Sequence, residues 1–317
     1  MTRSVTVLAP SPTLRVLVEP TTDGRVEIHL HPGGQGVWVA RMAARLHARV
    51  RLCLPLGGEA GTAMEALLTE EGLEPRVVRT VGATAAAVLD HRGHEGETDA
   101  EQAERVAESS SRLTRHEVDD LCTTVVTSAL DSEVLLLTGP DRDEVLPADV
   151  FRRLAADARG QGTTVVADLS GAALEHALAG GVDLLKVAHD ELPGVEDGDG
   201  EAEAEDVPEL LRRARRLRER GAGTVLVTRA AQPPLVVTAS GAHRLDVPSF
   251  TAVQFRGAGD SMSGAAAACL ANGADELSAV RTAAAAGAVN VTRQGYGTGH
   301  AEAVEAVARR VEVHRLD

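Results

Sequence analysis

Aromatic residues are scarce in this sequence, which has one tryptophan, one tyrosine and three phenylalanines among 317 residues. Apolar residues still make up 44% of the chain, so its core must consist mainly of alanine, valine and leucine. Proteins that bind single-stranded nucleic acid without sequence preference stack the bases on aromatic side chains. The formal net charge of −15 also repels polyanions. We therefore expect no nucleic-acid partner.

Cysteines and long apolar runs are also scarce. The three cysteines, Cys53, Cys122 and Cys269, lie in separate apolar segments. This placement predicts buried thiols, without a disulfide framework or a zinc site. No window of membrane-spanning length is free of charge, and the first residues lack the apolar run of a secretory signal. We therefore expect a cytoplasmic location and no membrane partner.

Short apolar runs alternate with helical patterns along most of the chain, which predicts crossover units around a mostly parallel sheet. Thr114 and Glu117 have the spacing of a capping box before a helix whose inward face runs to Ala129, and Pro147 is predicted to open the next helix. Buried strands are predicted at 134–137, 164–167, 184–186 and 224–228. In such sheets ligands bind at the carboxyl ends of the strands.

The first third of the sequence predicts a small β lid over the large sheet. Alternating apolar and polar runs on both sides of Asp23-Gly24 are typical of a hairpin. A further strand is predicted from Ala85 to Asp90. We predict a single domain over residues 1–317, in which residues 11–31 and 76–98 form the lid.

The segment Gly257-Ala258-Gly259-Asp260 precedes an apolar helix predicted from Ser261 to Asn272. Small residues let the backbone turn tightly and expose N–H groups, and the helix N-terminus adds a positive end, so this turn can bind phosphate. The carboxylate of Asp260 can take the proton of a hydroxyl that attacks a phosphate. The alternative is an ordinary loop with Asp260 as helix N-cap.

A second glycine-rich turn, His31-Pro32-Gly33-Gly34-Gln35-Gly36, precedes another predicted helix. It does not fit a dinucleotide-binding turn, because Val39 stands where a third glycine or an alanine is required. A turn that contacts a sugar fits the pattern better, and a tight turn without a ligand is the alternative.

In their order along the chain, these motifs resemble those of the ribokinase-like (PfkB) carbohydrate kinases, nearest the 1-phosphofructokinase and tagatose-6-phosphate kinase branch. The resemblance covers nearly the whole chain. The matching segments are 33–40, 57–58, 137–140, 168–171, 186–192, 257–261 and 284–289.

This resemblance implies an α/β, ribokinase-like three-layer fold with a mostly parallel central sheet, flanking helices and a small β-sheet lid. It implies ATP as donor, Mg²⁺ and a sugar-like acceptor. Asp260 would be the base, and the anion hole would be formed by Gly257, Ala258 and Gly259. The residues that would contact the nucleotide are Lys186, Glu191, Thr228 and Asn290, with Glu191 also on the metal. The residues that would contact the acceptor are Gly33, Gly34, Gln35, Trp38 and Gly139.

The chain departs from the family pattern where ligands would bind. Gln35 and Ala85 replace two phosphate-binding cations, Trp38 replaces an asparagine that contacts sugar hydroxyls, and Ala188 replaces an asparagine that orders the Mg²⁺ shell. The substrate-gripping aspartate is missing from residues 9–15. We therefore expect an acceptor other than the phosphorylated ketohexose of the nearest branch.

Two functions are compatible with the sequence. One is an ATP-dependent kinase that phosphorylates a sugar, a sugar phosphate or a related small molecule. The other is a non-catalytic ligand-binding or regulatory protein on the same fold, since function depends on the site more than on the fold. A homodimer joined through the lid, with a mainly structural role, is compatible with either function.

Overall fold

The computed structural model describes residues 3–21, 23, 25–90, 106–194, 206–253, 255–293 and 295–317. These residues form one large sheet, one small sheet and helices on both faces of the large sheet. The strands are β1 (Ser4–Leu8), β2 (Thr13–Pro20), β3 (Val26–Gly33), β4 (Arg49–Leu56), β5 (Glu74–Arg79), β6 (Ala85–Asp90), β7 (Val106–Ala107), β8 (Val134–Thr138), β9 (Thr164–Asp168), β10 (Val182–Ala188), β11 (Ala222–Arg229), β12 (Gln232–Thr238), β13 (Gly241–Asp246) and β14 (Glu312–Arg315). The helices are α1 (Gln35–Arg45), α2 (Gly58–Glu70), α3 (Arg115–Ala129), α4 (Asp149–Gly160), α5 (Gly171–Gly180), α6 (Val207–Glu219), α7 (Ala258–Ala271), α8 (Glu276–Asn290) and α9 (Ala301–Ala308).

The large sheet is mostly parallel and has the strand order β14-β13-β12-β11-β10-β9-β8-β1-β4-β5. All neighbours from β11 to β5 in this order pair in parallel, and β12, β13 and β14 extend the sheet in antiparallel pairing. The four strands predicted in the centre of the chain are β8 to β11. The predicted ribokinase-like α/β fold is confirmed.

Two apolar cores lie on opposite faces of this sheet, because successive side chains of a strand point to opposite sides. On β8, Val134 and Leu136 pack with α1, α2, α7, α8 and α9, whereas Leu135 and Leu137 pack with α3 to α6. Burying one such leucine contributes about 1.5–3 kcal/mol. The result is a three-layer molecule whose central sheet fixes the positions of the helix N-termini.

The helix boundaries confirm one prediction and correct another. The predicted capping box is present at α3, where a carboxylate oxygen of Glu117 accepts from the Thr114 N–H at 2.6 Å and Thr114 Oγ1 accepts from the Glu117 N–H at 3.4 Å. Helix α4 begins at Asp149, two residues after Pro147, because the Val150 N–H still donates to the Pro147 carbonyl in a tighter turn. None of the helices in the described ranges is long and apolar enough to cross a membrane.

The cysteines are free thiols, of which Cys53 and Cys122 are buried as predicted. Cys269, also predicted to be buried, is partly exposed, because it lies in the last turn of α7, near the surface.

The small sheet is the predicted lid and has the order β3-β2-β6-β7. β2 and β3 form the predicted hairpin, although Gly24 lies outside the described residues. Residues 76–79 do not belong to the lid: they are part of β5, where Val77 and Val78 pack into the large sheet beside β4. Of the rest of the second predicted lid segment, residues 80–84 connect the two sheets, β6 lies in the lid, and residues 91–98 lie outside the described ranges.

Candidate active site

Polar side chains and helix N-termini meet at the carboxyl edge of the parallel strands. Asp168, the last residue of β9, lies in register with Thr138 on β8 and with Lys186 on β10. The N-terminus of α1 reaches the same edge, because Gln35 Oε1 accepts from the Gly139 N–H at 3.1 Å. This is the position at which open α/β sheets bind their ligands.

The glycine-rich turn continues directly into α7, three residues earlier than predicted. Gly257 has a φ of 82°, a left-handed conformation that glycine adopts without strain, and it caps a helix that begins at Ala258. The Ser261 N–H donates to the Gly257 carbonyl at 2.9 Å and the Ala258 N–H to the Phe255 carbonyl at 3.4 Å. Within the described part of the chain, no backbone carbonyl accepts from the N–H groups of Gly259 and Asp260. These donors suit an anion.

A buried polar network lies beneath the first turn of α7. Lys186 Nζ donates to Asp168 Oδ1 at 3.0 Å, and Ser263 Oγ donates to Asp168 Oδ2 at 2.6 Å. Lys186 Nζ also lies directly under Gly259, since a Cβ on that glycine would be only 2.9 Å away from it. Burial opposes the charge of Lys186, but Asp168, Asp260 and Glu191 outweigh burial and raise the pKa of the lysine. The network therefore places a permanent positive charge behind the turn.

Asp260 lies in the first turn of α7, where part of its surface remains accessible. Burial and the nearby charge of Asp168 raise the pKa of Asp260 to about 7, against the opposing effect of Lys186 and Arg256. A carboxyl with a pKa near neutrality is suited to accept and release a proton at physiological pH. The geometry thus permits the role of base that the sequence predicts for Asp260.

A cavity of about 260 Å³ lies between the lid and the carboxyl edge of the large sheet. Of the five predicted acceptor residues, Gly34, Gln35, Trp38 and Gly139 line this cavity; Gly33 is not among the lining residues, because it packs against the stem of Arg15. Other lining residues include Ser11, Thr13, Arg15, Ala87, Glu108, Asp141 and Arg256. Asp260 is not one of the described residues that line it, whereas Arg256, four positions earlier, is.

Trp38 and Tyr296, the only tryptophan and tyrosine of the chain, stack beside the cavity with ring centroids 4.4 Å apart. The Arg15 guanidinium lies 5.6 Å from the Trp38 centroid and 4.9 Å from the Tyr296 centroid. The Tyr296 ring also packs against the 257–259 turn, since a Cβ on Gly257 would lie 2.8 Å from its Cδ1. The aromatic pair thus connects the wall of the cavity to the glycine turn.

Of the residues predicted to contact the nucleotide, some are accessible to solvent and one is fully buried. Thr228 is the second-last residue of β11, pairs with Ala188 and is partly exposed, and Glu191 is exposed in a short 3-10 turn at 189–191. Asn290 is instead fully buried: its Oδ1 accepts from Ser261 Oγ at 3.0 Å and from the Gly297 N–H at 3.1 Å. In this conformation the Asn290 amide is not available to a nucleotide. Its hydrogen bonds connect the start of α7 to the loop that contains Tyr296.

Glu191 is the carboxylate whose chemistry fits the predicted Mg²⁺. Its Oε2 accepts from the Ala188 N–H at 3.0 Å, which leaves Oε1 as a ligand oxygen. No group of three metal-binding side chains occurs among the described residues. A site made only of protein ligands is not required, because Mg²⁺ is commonly held by one or two carboxylates together with substrate phosphates and water.

Sequence reasoning did not include Arg15, Tyr296 and Ser263 among the site residues. Arg15 interrupts an otherwise apolar strand, and Tyr296 stands between two glycines in a chain almost without aromatics. Both features can be seen in the sequence. The contact of Arg15 with Tyr296, however, joins residues from opposite ends of the chain. Ser263 follows Asp260 by three positions, so only the start of α7 at Ala258 shows that it lies beneath the turn.

Comparison with known proteins identifies the family. Residues 13–303 match the model of the pfkB family carbohydrate kinases. The chain is 30% identical over 275 residues to an ATP-dependent 6-phosphofructokinase isozyme 2 of Mycobacterium tuberculosis, covering 86% of this chain and 78% of that protein. It is 27% identical to 1-phosphofructokinase of Bacillus subtilis, over 90% and 89% of the two chains.

A solved structure shows the same fold. Phosphofructokinase-2 from Escherichia coli superposes with a TM-score of 0.79 at 24% identity, over 98% of this chain and 99% of the other. The chain belongs to the PfkB family of carbohydrate kinases.

Proposed function

We propose that this chain is an ATP-dependent kinase that transfers the γ-phosphoryl group to a hydroxyl of a sugar, a sugar phosphate or a related small molecule. The observation that carries the proposal is the start of α7, where N–H groups without backbone acceptors, the Asp260 carboxyl and the buried Lys186 ammonium converge. Phosphoryl transfer depends mainly on positioning and on stabilising negative charge, and this arrangement supplies both.

In this proposal, Asp260 accepts the proton of the acceptor hydroxyl as its oxygen approaches phosphorus. The exposed N–H groups of the 257–259 turn and the first turn of α7 form the anion hole, and they donate to the oxygens of the transferred group. Lys186 adds its charge from below Gly259, and Asp168 and Ser263 hold the lysine in place. Mg²⁺, when bound at Glu191, would neutralise charge on the donor phosphates.

We assign the acceptor to the cavity beneath the lid. Gly34, Gln35, Trp38 and Gly139 line it, and the hydrogen bond from the Gly139 N–H orients the Gln35 amide. A sugar moving from this cavity toward Asp260 would pass Arg256, whose charge lies in the same wall. Closure of the lid over the acceptor would exclude water from the transfer.

For the donor nucleotide we propose contacts at Lys186, Glu191 and Thr228, and a positioning role for Asn290. A cytoplasmic location accords with the use of ATP. We further propose a single-domain subunit, and a homodimer formed through the lid. The dimer is supported by exposed apolar side chains on one face of β3, where Val26, Ile28 and Leu30 are 48%, 65% and 46% exposed.

The test is ATP consumption with Mg²⁺ over a panel of sugars, sugar phosphates and nucleosides, together with melting temperatures with and without ATP. The proposal predicts turnover with at least one acceptor. It also predicts stabilisation by ATP of ~2.7 kcal/mol at a hundredfold excess over Kd. The absence of both turnover and stabilisation would favour the non-catalytic alternative.

A further inference from the structure

Arg41 connects two segments that border the candidate active site. It lies on α1, three residues after Trp38, and its side chain is only 13% exposed. Its Nη1 donates to the Tyr296 carbonyl at 2.9 Å, and its Nη2 donates to the Pro32 carbonyl at 3.1 Å. The two carbonyls come from opposite ends of the chain, so this one side chain links the lid to the loop between α8 and α9.

Glu71, at the end of α2, fixes the orientation of this guanidinium. Its Oε2 accepts from Arg41 Nε and its Oε1 accepts from Arg41 Nη2, both at 2.8 Å. A bidentate pair of this kind orients the planar guanidinium as well as binding it. The remaining N–H groups therefore point at the two carbonyls, an arrangement that the single ammonium of a lysine cannot reproduce.

The two linked segments contribute to different parts of the site. Pro32 lies two residues before the segment 34–36, all of which lines the cavity beneath the lid. Tyr296 packs its ring against Gly257, at the start of the turn that we assign to the transferred phosphoryl group. The hydrogen bonds of Arg41 therefore help to set the separation between the acceptor cavity and that turn.

The loop between α8 and α9 also contacts α1 directly. The Tyr296 ring stacks on Trp38 with centroids 4.4 Å apart, and a Cβ on Gly297 would meet the Trp38 carbonyl. Arg41 donates to the same loop from the next turn of α1. Loss of this hydrogen bond would leave the aromatic pair free to move, and with it the wall of the cavity to which Trp38 belongs.

We propose that Arg41, oriented by Glu71, is a positioning residue that holds the acceptor side and the phosphoryl side of the site at the separation that transfer requires. The proposal rests on the function proposed above, since it concerns the same site. Arg41 is not among the described residues that line the cavity, so it acts through Pro32 and Tyr296.

Steady-state kinetics with Mg·ATP and an accepted sugar distinguish this role from a general loss of stability. Arg41→Gln should lower kcat and raise the acceptor KM by about tenfold each, because small misplacements of reacting groups can cost up to ~10² in rate. The KM for ATP should stay unchanged, since the residues proposed to contact the nucleotide lie on β10, β11 and the 189–191 turn.

Two further variants separate geometry from charge. Arg41→Lys keeps the charge but loses the planar arrangement of donors, and it should behave like Arg41→Gln. Arg45→Gln, on the exposed last turn of the same helix, is the control and should behave like the unaltered protein. If Arg41→Gln does not fold, Glu71→Gln, which keeps the guanidinium and one acceptor oxygen, should show the same changes in weaker form.

A second readout does not need turnover, because Trp38 is the only tryptophan of the chain. Its fluorescence reports on the stack with Tyr296, and quenching by acrylamide measures how accessible the indole ring is. The quenching constant should rise in Arg41→Gln and Arg41→Lys, and it should stay unchanged in Arg45→Gln.

Full recovery of kcat and of the acceptor KM in Arg41→Lys would overturn the proposal, since charge alone would then be sufficient. Unchanged kinetics or unchanged quenching in Arg41→Gln would overturn it as well, and so would equal increases in the KM values for acceptor and ATP. The proposed kinase is refuted by a different result, the absence of turnover in the unaltered protein. In that case a higher quenching constant in Arg41→Gln would still support the role of Arg41 in holding the two segments.

Discussion

The raised pKa of Asp260 makes stability depend on pH in an unusual direction. Its pKa is about 7 in the folded protein, above the ordinary value of 3.8, so folding favours the protonated carboxyl. The carboxylate therefore destabilises the fold progressively as the pH rises from about 4 to about 7. Asp260→Asn stays neutral at every pH, so the advantage of its melting temperature over that of the unaltered protein should grow from about pH 4 to about pH 7 and stay constant above that.

Thermal melts across this range check the prediction, with Asp143→Asn in an exposed loop as the matched control. A difference in melting temperature that stays constant with pH would show that the Asp260 carboxyl titrates at its ordinary value.

The ion pair of Lys186 and Asp168 is the second feature at the residue scale. Both side chains are almost fully buried, and removal of one partner leaves an uncompensated charge. We expect Lys186→Met to lower the free energy of unfolding by ~3 kcal/mol or more. Lys186→Met with Asp168→Asn should recover part of the loss, because the orphaned charge is removed. Urea unfolding measures both, and a single variant as stable as the unaltered protein would contradict the account.

The site could be predicted only where its residues are close in sequence. Gly257, Gly259 and Asp260 form a local motif, and their spacing alone indicated an anion-binding turn beside a carboxylate. The contact of Arg15 with Tyr296 depends on how the lid meets a loop near the other end of the chain. No local sequence pattern predicts a contact between the lid and that loop, so the position of Arg15 beside Trp38 and Tyr296 could not be predicted from the sequence.

Among the helices, α3 offers a clean test of a predicted element. The Glu117 carboxylate accepts from the N–H groups of Thr114 and Val81, at 2.6 and 2.7 Å. Glu117→Ala should lower the free energy of unfolding by ~1–2 kcal/mol, because two backbone N–H donors, one of them at the start of α3, lose a charged acceptor. Asp120→Ala, on the exposed face of the same helix, is the control and should change little.

The effect of Glu117 should also depend on pH. Burial alone would raise the pKa of Glu117, but the two N–H donors outweigh it and lower the pKa below 4.5. Its contribution is therefore present above pH 4.5 and is lost as the pH falls through the lowered value. Urea unfolding at pH 7 and at pH 3.5 measures this, and an equal effect of Glu117→Ala at both values would rule it out.

The best-predicted elements are those whose buried side chains recur at regular spacing in the sequence. Helix α3 and strands β8 to β11 bury regular sets of valine, leucine and alanine, and their positions were predicted to within a few residues. The hairpin from β11 to β12 was not predicted. Its turn contains Ala230, with a φ of 50°, at a position where glycine or asparagine would have indicated a turn. Pro233 and Pro234 lie at the start of β12, and because proline is uncommon inside strands the sequence did not indicate a strand there.

At the scale of the whole molecule, the apolar face of the lid predicts self-association. Sedimentation velocity should give a species of twice the 33.0 kDa chain mass. Ile28→Glu places a charge in the middle of the exposed face of β3 and should produce monomers. Leu130→Glu, an exposed position at the end of α3, is the control. A monomeric unaltered protein at micromolar concentration would contradict a dimer through the lid.

The large sheet brings Asp260, the 257–259 turn and the cavity beneath the lid to one edge, and the central claim is that this edge transfers a phosphoryl group. The most direct measurement is the initial rate of ADP formation with Mg·ATP and an accepted sugar, for the unaltered protein and for Asp260→Asn at equal ATP saturation. A base in this position accounts for ~10²–10⁴ in rate, so kcat should fall by that factor while ATP binding is retained. A variant that turns over as fast as the unaltered protein would contradict the account.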